Sequence, residues 1–87
     1  MIRIKRLSLA PGVLTPIYPV KTSQMVDIQN LTGSDLMVHT NTNELEYLTI
    51  KKGEERHIHT EVPWFRVDDI AFWLESANGG TVVTVWV

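Results

Sequence analysis

The chain has 87 residues and no cysteine, and its charge is split by position: residues 1–24 carry Arg3, Lys5, Arg6 and Lys21 with no acid, whereas residues 25–87 carry four basic and ten acidic side chains. Such a length supports one domain that buries only about 60–65% of its unfolded surface, and without disulfides or thiolate metal sites the expected support is association or a histidine-based metal site. No apolar run approaches the roughly 20 residues of a membrane span, and Leu7 to Val13 is broken by Ser8, Pro11 and Gly12, so neither a membrane segment nor a signal peptide is predicted.

Residues 1–24 read as an extended N-terminal arm. Ile2 and Ile4 alternate with Arg3 and Lys5, and Leu7 and Leu9 then alternate with Ser8, the phase changing across Arg6. Pro11-Gly12 marks a turn. Pro16 and Pro19 lack amide donors, which excludes a helix and a central strand, so Thr15 to Val20 is predicted as polyproline-like or an edge strand.

Residues 25–87 read as short strands between turn signals. Met25 to Gln29 alternates, with Val26 and Ile28 on one face. Asn30 to Asp35 is a turn cluster. Leu36, Val38 and Thr40 alternate with Met37 and His39, and Leu45 to Ile50 follows the turn Asn41-Thr-Asn43. Lys51-Lys-Gly-Glu54 is a turn whose glycine suits positive φ, and Glu55 to Glu61 is a strand with Ile58 inward. Pro63 interrupts, and Trp64 to Val67 resumes. Ala71 to Glu75 and Thr81 to Val87 flank Asn78-Gly79-Gly80, the strongest hairpin signal in the chain.

Strand spacing of about 8 to 12 residues, with no helical apolar stripe, predicts an all-β fold: an antiparallel β-sandwich, jelly-roll-like or simpler, over residues 25–87, with the arm over 1–24. The last strand has apolar groups on both faces, so it is either central and doubly covered or meets another molecule on its outer face.

His57-Ile58-His59 places two imidazoles on one strand face about 7 Å apart, and with Glu61, or with Glu55 on the same face, forms a candidate ligand set to which His39 could add. The plainer reading is a wet strand face opposite Ile58, and no metal or other cofactor is expected. Asp68-Asp69 with Glu75 reads as turn capping rather than a catalytic carboxylate pair. Serines 8, 23, 34 and 76 sit in the arm or in turn settings, with no nucleophile-elbow pattern or phosphate loop, so no catalytic residue is assigned. An acidic, aromatic-bearing body opposes nucleic-acid binding by the basic arm. Trp64, Phe65, Phe72, Trp73 and Trp86 are a generous aromatic supply, which makes a small carbohydrate-binding module, or another tail or fibre β-sandwich module, the rival to an assembly protein.

In layout the chain resembles the small all-β decoration, or cement, proteins of tailed bacteriophage capsids. The features carrying this are the arm (Met1 to Gln24), the opening Val26-Asp-Ile-Gln-Asn-Leu-Thr-Gly33, the Lys-Gly-Glu turn at Lys52 to Glu54, and the closing Gly-Gly-Thr-Val-Val-Thr-Val-Trp-Val. The resemblance implies a non-enzymatic protein on the virion surface, made in the host cytoplasm, that bridges major capsid protein subunits, often as a trimer or dimer. From the residues themselves, the expected arm contacts are Ile2, Ile4, Leu7, Leu9, Ile17 and Tyr18 for apolar grip and Arg3, Lys5 and Arg6 for charge pairing. Trp64, Trp86 and Val87 are the expected body surface beneath them.

Overall fold

A computed structural model describes residues 2–40, 47–60, 63–66 and 68–87. Among them are eight strands and no helix: β1 (Arg3–Leu9), β2 (Thr15–Ile17), β3 (Met25–Thr32), β4 (Leu36–His39), β5 (Tyr47–Ile50), β6 (Glu55–His59), β7 (Phe72–Ser76) and β8 (Gly80–Trp86). No helix there is long and apolar enough to cross a membrane. The strands form two antiparallel four-stranded sheets, sheet A in the order β1-β8-β3-β6 and sheet B in the order β2-β7-β4-β5. The pairs β1·β8, β2·β7, β3·β6 and β4·β5 are those of one long hairpin folded back on itself, and β3·β8 and β4·β7 close the two sheets.

The sheets pack face to face over a single core. Leu9, Val26, Ile28, Val82 and Trp86 come from sheet A, and Ile17, Leu36, Val38, Ile50, Phe72 and Leu74 from sheet B. The period-2 alternation explains the choice, since every second residue of β3, β4, β7 and β8 points inward. Trp86 is the centrepiece. Its ring stacks on Phe72 at 6.0 Å and meets Trp64 edge-on at 5.4 Å, while its Nε1 donates to Thr84 Oγ1 at 3.0 Å. That bond satisfies the only polar atom of a fully buried indole.

The first 24 residues contribute to both sheets. β1 runs along β8 in continuous register from Arg3↔Trp86 to Leu9↔Gly80, and β2 is the edge of sheet B, where Pro16 leaves no central ladder short of a donor. The phase change across Arg6 involves no bulge. Leu7 and Leu9 turn toward the core, and Ile2 and Ile4 therefore turn toward solvent.

Three expectations are corrected. Asn30 and Thr32 belong to β3 rather than to a turn, and both are buried. Asn30 Nδ2 donates to Ile50 O at 2.8 Å and Ser34 O at 3.0 Å, and its Oδ1 accepts from Thr32 N at 3.0 Å. Thr32 Oγ1 and the hydroxyls of Ser34 and Ser76 extend this network between the sheets. Second, Asn78-Gly79-Gly80 does not join paired strands, because β7 lies in sheet B and β8 in sheet A. Gly79 (φ 67°) instead carries the chain across, so close to Leu9 that a Cβ would stand 2.6 Å from the Leu9 carbonyl oxygen. Third, Trp64 to Arg66 forms no strand. Trp64 exchanges backbone hydrogen bonds with the 22–23 turn, donating to Ser23 O at 3.0 Å and accepting from Thr22 N at 2.6 Å. Asn41-Thr-Asn43, Leu45, Glu61 and Val67 lie outside the described residues.

Candidate interaction surface

β8 is central in sheet A, flanked by β1 and β3, and no strand among the described residues lies over its outer face, where Val83 is buried and Val85 half-buried. Alternation and register define that face. Across the sheet from β1 to β6, one row reads Arg6, Val83, Gln29, Glu55, and the next reads Ile4, Val85, Asp27, His57. Val87 and Met25 exchange backbone hydrogen bonds at 2.9 and 3.2 Å and continue the face beyond the strand end, beside His59. Ile2 (65% exposed), Ile4 (69%), Leu31 (53%) and Val87 (47%) leave apolar area in water, and Val85 and Met25 are half-covered. Val83, flanked in register by Arg6 and Gln29, is buried. An apolar strip on the outer face of a small domain is a feature of interaction surfaces.

The strip has charge of opposite sign at its two sides. On the β1 side are Arg6 on the outer face and Arg3 and Lys5 on the other side of the strand, all exposed. Arg3 and Lys5 line a cleft of about 450 Å³ with Lys21, Ser23 and Val87, which gathers three of the four cations of residues 1–24. On the β6 side, Glu55 and His57, with Asp27 of β3, bring one ligand atom each within 4.8 Å of one another, and the exposed Arg56 lies on the other side of that strand. Asp27 Oδ1 is shielded from solvent and accepts no hydrogen bond, and His57 Nδ1 lies 3.6 Å away. Three such groups suit a divalent ion, but Glu55 and His57 are exposed and Asp27 with His57 already forms a long ion pair when the imidazole is protonated.

The candidate metal set is thereby redrawn. His57 stands opposite Asp27, a carboxylate thirty residues earlier that was not part of the expected ligand set, and His59 stands opposite Met25. His39 is on sheet B, on the far side of the sandwich, and cannot join them. There it is buried, its ring 5.5 Å from Tyr47 and its Nε2 3.8 Å from Glu75 Oε1. Glu75 is thus separated in role from Asp68 and Asp69, which instead flank Arg66 at 3.9 and 3.4 Å.

The expected partner-binding residues also divide. Ile2, Arg3, Ile4, Lys5, Arg6, Tyr18 and Val87 are exposed. Leu9, Ile17 and Trp86 are spent in the chain's own core and have no surface to offer a second molecule, and Leu7 and Trp64 are partly buried against that core. Apolar side chains of the first segment pack on this chain because β1 and β2 complete its sheets. Residues missed by sequence reading are Val83, Val85, Met25 and Asp27; Glu55 was named only as a ligand candidate beside His57 and His59. The two-faced apolar character of β8 was the available signal for the first two.

Comparison with protein-family models, with curated proteins and with solved structures finds no match to this chain.

Proposed function

We propose that this chain is a non-enzymatic virion structural protein, one that decorates a phage capsid by docking on major capsid protein subunits and associating with its own copies. The observation that carries this reading is the uncovered apolar strip on the outer face of sheet A, bordered by cations on one side and carboxylates on the other. A surface of that kind favours attachment. The strand orders β1-β8-β3-β6 and β2-β7-β4-β5 support a jelly roll, an architecture common to capsid and lectin domains. β1 is a paired strand of this chain's own sheet rather than a free arm, and the exposed Arg3, Lys5 and Arg6 on that edge strand supply the charge for pairing with a neighbour.

The non-enzymatic part rests on what the polar groups do. The hydroxyls of buried Thr32 and Ser76 and of half-buried Ser34 bond one another and Asn30, and the imidazoles of His39 and His57 have carboxylates as neighbours. A glycan-binding module needs flat, open rings. Trp86 and Phe72 are buried and Trp64 and Trp73 partly covered, while Phe65, Tyr18 and Tyr47 are exposed, so the preference for the assembly reading rests on the apolar strip and the carbohydrate reading on those three rings.

The test is mass spectrometry of purified virions from the source of this sequence, with heat release of the genome from particles made with and without the chain. The expected result is stoichiometric incorporation and genome loss at lower temperature without it. Particles that lack the chain would overturn the proposal, and binding on a glycan array would then favour the rival.

A further inference from the structure

Reading the outer face of sheet A as the working surface leads to a specific first occupant. We infer that two copies of this chain pack these faces together about a two-fold axis parallel to the strands, with Arg6 of each copy paired to Glu55 of the other.

The register carries the inference. Arg6↔Val83, Val83↔Gln29 and Gln29↔Glu55 place a cation and a carboxylate at opposite ends of one cross-strand row. Three strand spacings of about 4.8 Å separate them by roughly 14 Å, so they do not pair within one chain. A row that reads cation, apolar, polar, anion is complementary to itself when reversed. Rotation about an axis along the strands reverses each row and keeps its level, which lays β1 of one copy over β6 of the other and sets Arg6 against Glu55 twice. Rotation about an axis across the strands lays β1 over β1 and repeats like charge against like. A closed two-fold contact uses the same patch on both partners, as this geometry does.

The neighbouring row fits the same operation. Reversed, Ile4 covers His57 and Val85 covers Asp27. The Asp27 side chain is only 16% exposed before any contact, so the partner's valine removes little further water from it. Beyond the strand end, Val87 of one copy falls on Met25 of the other.

The molecule measures 32 × 25 × 18 Å, so its two longer extents set 800 Å² as the upper limit of any one face, against the roughly 800 Å² per partner of a standard interface. Joining the β1 edge of one copy to the β6 edge of the next would also match charge. That contact leaves the apolar strip in water and, being head-to-tail, propagates as an open filament.

Sedimentation velocity with light scattering on the full chain decides the matter, using Arg6→Glu, Glu55→Arg and the double exchange. Both positions are exposed, so circular dichroism is expected to show native folds. The wild type is expected as a dimer. Each single reversal is expected to raise the dissociation constant roughly a hundredfold, from about tenfold at each of the two symmetry-related pairs, and the double exchange to restore it. A monomeric wild type, single variants that dimerise as the wild type does, a double exchange without recovery, or an open polymer would each overturn the inference. A monomer still incorporated into virions would sink the dimer and leave the decoration reading intact. A charge-swappable dimer absent from virions would do the reverse.

Discussion

Replacing Asn30 by alanine should cost this chain a large share of its stability. The side chain has no exposed surface and uses all of its hydrogen-bonding capacity: Nδ2 serves the carbonyls of Ile50 and Ser34, and Oδ1 receives Thr32 N and, at 2.6 Å, Thr32 Oγ1. At about 1 kcal/mol net for each of these bonds, and with buried partners left unpaired, the expected loss is about 3–5 kcal/mol. A domain of this length holds only about 4–13 kcal/mol in total. Urea unfolding followed by tryptophan fluorescence reads the change as a fall in midpoint at constant slope. Asn30→Asp separates the network from simple packing. It keeps an acceptor for Thr32 but turns an oxygen toward two carbonyls that need a donor, so at neutral pH it should lose at least as much as alanine. A loss below about 1 kcal/mol for alanine, or an aspartate variant as stable as the wild type, would refute the reasoning.

Two further substitutions and a truncation extend the test. Gly53 (φ 82°) has open space where a Cβ would stand, so Gly53→Ala should cost only about 1 kcal/mol. Gly79→Ala, with its Cβ driven against the Leu9 carbonyl, should cost roughly 3 kcal/mol or more; equal melting temperatures for the two variants would contradict this. A chain beginning at Met25 loses β1, β2 and the buried Leu9 and Ile17, at about 1.5–3 kcal/mol for each side chain besides the ladder bonds. It should show no cooperative thermal transition by circular dichroism. A cooperative melt would show that residues 1–24 are a dispensable strap.

Alternation was readable in β3 and β4. Val26 and Ile28, and Leu36 and Val38, were legible as same-face pairs because period 2 is local information, whereas adjacent Phe72 and Trp73, and the two-faced apolar β8 with Trp86 expected at the surface, take their inward face only from the packing of the two sheets. Pro16 likewise marked β2 as an edge. Pairing was not legible. Asn78-Gly79-Gly80 specifies backbone angles, and those suit a crossing between sheets as well as a hairpin. Asn30 and Thr32 look like turn residues until Ile50 and Ser76, which lie 20 and 44 residues further on, supply their partners. The interaction surface was half visible. The change of phase between Ile4 and Leu7 recorded the switch of β1 from solvent to core, but the meeting of Asp27 with His57, and the row joining Arg6 to Glu55, exist only once β3 has paired with β6 and β8.

The position of β8 has a consequence for how the molecule is made. It is the last of the eight strands to leave the ribosome, yet it is the spine of its sheet, with β1 on one side and β3 on the other. Until it emerges, those two strands have no neighbour between them, and neither half of the nascent polypeptide can mature by itself. Acquisition of the native state is therefore a late, all-at-once event with high contact order, on the millisecond-to-second scale of β proteins rather than the microsecond scale of helical bundles.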